Sequence, residues 1–160
     1  MTRKEQYNQL ILQIAGLIRD ETNLVGILAN VSAALHDAFP ERFFWVGFYL
    51  QENGNMLRLG PFQGSVACYV IPFGKGVCGK AWEEERTLIV PDVEKFPGHI
   101  ACSSLSRSEI VVPMYDDSHT FRGVLDIDST RLNDFNEDDK EGLERIIELL
   151  MAETQEIGRA

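Results

Sequence analysis

Residues 109–130, EIVVPMYDDSHTFRGVLDIDST, decide how this chain folds. Two short runs rich in β-branched and aromatic residues flank Asp116-Asp117-Ser118-His119, a cluster of turn formers. So short a connection makes the two runs neighbouring antiparallel strands. In the second run Leu125 and Ile127 point one way and Asp126 and Asp128 the other, because alternate residues of a strand share a face. Two carboxylates then sit about 7 Å apart on one face of an otherwise apolar strand. Two readings are open. On an exposed edge strand, that face is simply wet. If the face is covered, each acid must be hydrogen-bonded, paired with a cation or protonated.

The pattern recurs upstream in FFWVGFYLQ (43–51), MLRLGPFQ (56–63), VACYVIP (66–72) and TLIVPD (87–92). Glu52-Asn53-Gly54-Asn55 joins the first two as a second hairpin. Phe44, Val46 and Phe48 read as a core face. Trp45, Gly47 and Tyr49 share the other, where two amphipathic aromatics flank a glycine gap suited to a small ligand. The plainer alternative packs Trp45 under a helix.

Helical spacing frames these strands. Apolar residues at 7, 10, 11, 14, 17 and 18 fit one face of an amphipathic helix. A second helix runs from about Asn23 to Phe39, where Pro40 stops it. Residues 143, 146, 147, 150 and 151 mark another, with Asn136 as its cap and Glu137, Asp138 and Asp139 at the positive end of its dipole. GVCGKAWEEER (76–86) reads as a short helix within the strand-rich region. Terminal helices around a mostly antiparallel sheet make an α+β domain.

At 160 residues the chain has the size of one domain, here 1–160, able to bury a core without disulfide staples. Its net charge of −10 argues against nucleic acid and against an anionic membrane surface. The acid-dense stretch 134–156 reads as a solvated helix face. No signal-peptide pattern opens the chain, and no apolar run reaches the ~18 residues of a membrane span. The three cysteines, 68, 78 and 102, are odd in number and irregular in spacing, which places the chain in the cytoplasm.

Cys102 lies in FPGHIACSSLSRS (96–108), a polar, serine-rich loop with His99 and Arg107 nearby. That context suits a partly exposed, reactive thiol. Cys68 reads as a strand residue, buried on one face with Val66 and Val70. Cys78 opens the short helix, where the helix N-terminus would lower its pKa. Three readings compete. A zinc site from Cys68, Cys78, Cys102 and His99 lacks any CxxC or HxxxH pair. Three unrelated structural cysteines are the default. A redox pair needs, for Cys68 and Cys102, Cα atoms within about 7 Å.

WVGFYL (45–50), LGPFQG (59–64), ACYVIPFGKGVCGKAW (67–82), FPGHIACSS (96–104), SEIVVP (108–113) and GVLDIDS (123–129) follow in order at close spacing. Through these motifs the chain closely resembles the free methionine-(R)-sulfoxide reductases, single-GAF-domain enzymes. The resemblance implies a central sheet of about six strands with the pocket on one face. It implies Cys102 as the attacking thiol, Cys68 as the resolving thiol and Cys78 as an auxiliary thiol. It makes Glu109 and Asp128 catalytic carboxyls. Trp45, Tyr49, Glu109, Asp126 and Asp128 become substrate-binding residues. No cofactor or metal is implied. The expected partners are free methionine sulfoxide, thioredoxin as reductant and a second copy in a homodimer. His99 is left out of the chemistry, since three carboxylates can organise it. The rival expectation is a non-catalytic GAF sensor of a small molecule or of redox state.

Overall fold

The structure is a computed structural model that describes residues 1–154; the end of the acid-dense stretch, residues 155–156, lies outside the described residues. Four helices, α1 (Arg3–Ile18), α2 (Leu24–Ala38), α3 (Gly76–Glu84) and α4 (Glu137–Glu153), accompany six strands among these residues. The strands are β1 (Trp45–Glu52), β2 (Met56–Gln63), β3 (Val70–Pro72), β4 (Leu88–Val90), β5 (Ser108–Tyr115) and β6 (Phe121–Ser129). They form one sheet in the order β3-β2-β1-β6-β5-β4, with every neighbouring pair antiparallel. This is the α+β arrangement that the sequence predicts, and both expected hairpins form.

The hairpin of residues 109–130 closes because Asp116 turns the chain back on itself. Its Oδ1 accepts from the backbone N–H groups of Ser118 and Thr120, each at 2.9 Å. The resulting β6 is a central strand, paired on both sides, so the exposed-edge reading of Asp126 and Asp128 is overturned.

The sheet separates two cores. Val46 and Phe48 of β1, Ile110, Val112 and Met114 of β5, and Leu125 and Ile127 of β6 pack under α1, α2 and α4. Trp45, Tyr49, Val111 and Val124 face the opposite side, with Ile71, Val77 and Cys78. Phe44 departs from its expected place beside Val46 and Phe48. It precedes β1, so strand alternation does not govern it, and it packs on the second core. Leu17 also departs: it is 43% exposed, while Tyr7, Leu10, Ile14 and Ile18 carry the buried face of α1.

Caps define the helix ends. Thr2 and Glu5 form a capping box on α1, Asn23 caps α2, and Asn136 with Asp139 forms a second capping box on α4. Asp139 also joins α1 to the start of α4. It is fully buried, accepts from Tyr7 Oη at 2.7 Å and from Arg3 Nη1 at 2.8 Å, and holds Arg42 Nη2 at 3.0 Å. The Arg42 guanidinium lies over the rings of Phe39, Phe43 and Phe135 at 5.1–5.7 Å, which covers the ion pair with apolar surface.

Removing one partner of such a buried pair leaves uncompensated charge. Asp139→Ala is expected to cost roughly 3–5 kcal/mol, read as a lower urea midpoint, with Asp139→Asn losing less because it keeps part of the hydrogen bonding.

Candidate active site

The site lies on the sheet face away from α1, α2 and α4. In the register of the three central strands Asp128 stands opposite both Trp45 and Glu109, while Asp126 stands opposite Gly47 and Val111. Glu109, Asp126 and Asp128 therefore meet on one face. Glu109 and Asp126 are each 5% exposed and Asp128 is half-buried. Helix α3 covers them from above and brings Cys78 down. The Cys78 sulfur and one oxygen each from Glu109 and Asp126 lie within 4.8 Å of one another. These three donor atoms are also the set among the described residues that could hold a small cation.

Burial sets the protonation of this cluster. It pushes the carboxyl of Glu109 well above the usual range, and the neighbouring charges of Asp126 and Asp128 push it further. Asp128 rises for the same reasons: burial first, then Asp126. Asp126 also rises through burial, but Glu109 and Cys78 act as hydrogen-bond donors towards it and pull it back down. Asp126 is thus the member of the cluster best placed to stay ionised. Its Oδ1 is buried without a hydrogen-bond partner.

Cys78 overturns one expectation. Its position in the first turn of α3 does not lower its pKa. Complete burial and the adjoining Asp126, Glu109 and Asp128 drive the thiol well above its ordinary value. Like-charged neighbours in an apolar setting outweigh the helix terminus.

Cys68 overturns another. The strand begins only at Val70, so Cys68 lies in an irregular segment and is half-buried rather than sheet core. Its sulfur is bonded to that of Cys102 across a Cα–Cα distance of 5.5 Å and a sequence separation of 34. Cys102 itself is exposed, as its serine-rich context predicts, and Cys78 is the free cysteine among the described residues. With Cys68 and Cys102 bonded to each other, the four-ligand zinc set is not formed.

Through Cys102 the bridge lines a cavity above this sheet face. The three carboxyls and Cys78 form its floor, Trp45 and Tyr49 one wall, and Ile71, Val77 and Ile100 an apolar side. The two aromatics are fixed by polar contacts: Trp45 Nε1 donates to the Ser65 carbonyl at 3.0 Å and Tyr49 Oη to the Cys68 carbonyl at 2.9 Å. The Trp45 and Tyr49 rings stack at 5.9 Å. The glycine gap between them admits no ligand. An added Cβ on Gly47 would meet Phe62 and the Pro61 carbonyl oxygen at 3.0 Å, so β2 already fills that space.

A match to the GAF domain extends over residues 19–152. GAF domain-containing protein A of Dictyostelium discoideum is 57% identical over 149 residues, covering 93% of this chain and 92% of that protein. The free methionine-R-sulfoxide reductase of Saccharomyces cerevisiae is 43% identical over 155 residues, covering 94% and 86%. The solved free methionine-R-sulfoxide reductase of Neisseria meningitidis, in complex with its substrate, superposes with a TM-score of 0.93 at 46% identity, covering 97% of this chain and 92% of that one. The chain belongs to the free methionine-R-sulfoxide reductase family of GAF-domain proteins.

His99, which the sequence sets near Cys102, lines this cavity; its Nε2 lies 3.8 Å from Glu109 Oε1, too far for a hydrogen bond, and burial lowers its pKa. One part of the site escapes a reading of the sequence: Ile100, an apolar side chain in a polar loop. It closes over Gly76, which has a φ of +60° and where an added Cβ would meet Ile100 at 3.0 Å. An isolated apolar residue beside a histidine was the available signal.

The carboxyl cluster makes stability depend on pH with a definite sign. The unfolded chain releases these protons at about pH 4, whereas the folded cluster keeps them to higher pH. The folded state binds more protons above that point, so stability falls as pH rises through the window. Between about pH 5 and about pH 8, Glu109→Gln is expected to show a shallower loss of unfolding free energy than the parent chain, measured by urea titration.

Proposed function

We propose that this chain reduces free L-methionine (R)-sulfoxide to methionine. The Cys68–Cys102 bridge, whose Cys102 lines the same cavity as the three carboxyls, is the observation that carries this reading. In the reduced protein the Cys102 thiolate attacks the sulfoxide sulfur. Glu109 or Asp128, each holding its proton because it is buried among like charges, donates to the sulfoxide oxygen. The oxygen passes to Cys102, methionine leaves with two more electrons on its sulfur, and Cys102 is left as a sulfenic acid. The Cys68 thiol attacks that sulfur, water leaves, and the bridge forms. A dithiol protein of the thioredoxin class returns two electrons. Cys78 is assigned the auxiliary part, exchanging into the bridge.

Substrate selection follows from charge. The partnerless Asp126 oxygen accepts from the ammonium of a free amino acid. No side chain caps the N-terminus of α3, and Gly76, Val77 and Cys78 line the cavity, so their backbone N–H groups suit the carboxylate. Trp45 and Tyr49 pack on the thioether methyl. A methionine inside a peptide has neither terminal charge.

Steady-state assays should therefore show turnover of free (R)-sulfoxide and a kcat/KM for peptide-bound sulfoxide lower by roughly 10²-fold or more. Comparable rates on both would end the pocket assignment.

The cysteine roles separate in single turnover. Cys102→Ser should release no methionine, while Cys68→Ser should release about one equivalent and then stall with protein reductant. Methionine release by Cys102→Ser would transfer the attack to another thiol.

A further inference from the structure

Single exposed apolar residues are common on protein surfaces. Here three of them lie on the two segments that one bridge joins. Val66 is 87% exposed, Tyr69 76% and Leu105 59%. Val66 and Tyr69 flank Cys68, and Leu105 follows Cys102 by three residues, so its Cα lies within about 11 Å of that cysteine. The two cysteines are joined at a Cα–Cα distance of 5.5 Å, so the bridge ties together the two segments that carry these side chains, a collar in sequence around the disulfide. Ser65, Ser104 and Arg107, all exposed, give it a polar rim. An apolar centre with a polar rim is the anatomy of a protein docking face. A small thiol would need no such collar.

We propose that this collar docks a protein dithiol, and that the incoming thiolate attacks the Cys102 sulfur. The inference rests on the reductase reading, which requires the bridge to be reduced after each turnover. Thiol–disulfide exchange is limited by access to the attacked sulfur. Cys102 is exposed, whereas Cys68 is half-buried and its carbonyl is held by Tyr49 Oη at 2.9 Å. The open end of the bridge is therefore Cys102. Attack there forms a mixed disulfide between the partner and Cys102, and the Cys68–Cys102 bond breaks with Cys68 leaving as a thiolate that takes up a proton. The partner's second thiolate then attacks its own sulfur in the mixed disulfide. Cys102 is released as a thiolate, and the partner, two electrons poorer, leaves as a disulfide.

The test uses the full chain and the double variant Tyr69→Ser/Leu105→Ser, neither residue of which lines the cavity. Turnover is measured with dithiothreitol and with a thioredoxin-class dithiol. A form of that partner lacking its second cysteine traps the mixed disulfide for peptide mapping. The proposal expects kcat/KM for the protein dithiol to fall by about 10-fold or more, dithiothreitol-supported turnover to stay unchanged, and the trapped peptide to contain Cys102. Equal loss with both reductants, no loss with either, or trapping at Cys68 overturns it. So does a change in light-scattering mass in the double variant, which would assign the collar to a second copy of this chain. Failure of the reductase reading looks different: the parent chain would reduce no free sulfoxide with either reductant, and the trap would still report which sulfur is attacked.

Discussion

Asp128 stands between Trp45 on one side and Glu109 on the other because β6 is hydrogen-bonded in register to both β1 and β5. Every functional side chain on the sheet takes its place from that pairing. A slip of one residue would turn Asp126 and Asp128 into the helix-covered core and lift Leu125 and Ile127 onto the cavity side. The opposite face prevents it. Val46, Phe48, Ile110, Leu125 and Ile127 are all fully buried under the helices. Taking Leu125 and Ile127 out of that core and putting two acids in their place would cost far more than any gain in strand pairing. The apolar core thus fixes the chemistry on the other side of the same strands.

Two buried acids show how surroundings decide what a carboxyl does. Asp139 has Arg3, Arg42 and Tyr7 as donors and ties α1 to the start of α4. Asp126 has two further carboxyls and a thiol as neighbours, with one oxygen left without a partner. The first arrangement is neutralised by the chain's own cations. The second is completed by retained protons and, on the proposed reading, by the charge of a ligand. The conflict of like charges that weakens the fold also keeps an acid protonated, which on the proposed reading lets it donate to oxygen.

Much of this was legible from local pattern. The two hairpins, the face alternation in β1 and β6, and the Asn23 and Asn136 caps each depend on residues close in sequence. So does the exposure of Cys102. The failures share a cause. Cys68 was misplaced because a β-like run from Val66 to Pro72 forms strand only over its last three residues. The gap at Gly47 looked open because β2, which fills it, comes from elsewhere in the chain. Cys78 looked activated because its helix was legible and the three carboxyls beneath it were not yet assembled.

The sequence by itself determined which residues alternate, where helices start, and which motifs relate this chain to free methionine-R-sulfoxide reductases, because those properties reside in short-range geometry and residue identity. Only the tertiary structure decided that β6 is central, that Cys68 and Cys102 meet across 34 residues, and that Glu109, Asp126, Asp128 and Cys78 line one cavity. Those facts depend on non-local pairing. The pKa of a carboxyl or a thiol is set by what surrounds it in space, not by its neighbours along the chain.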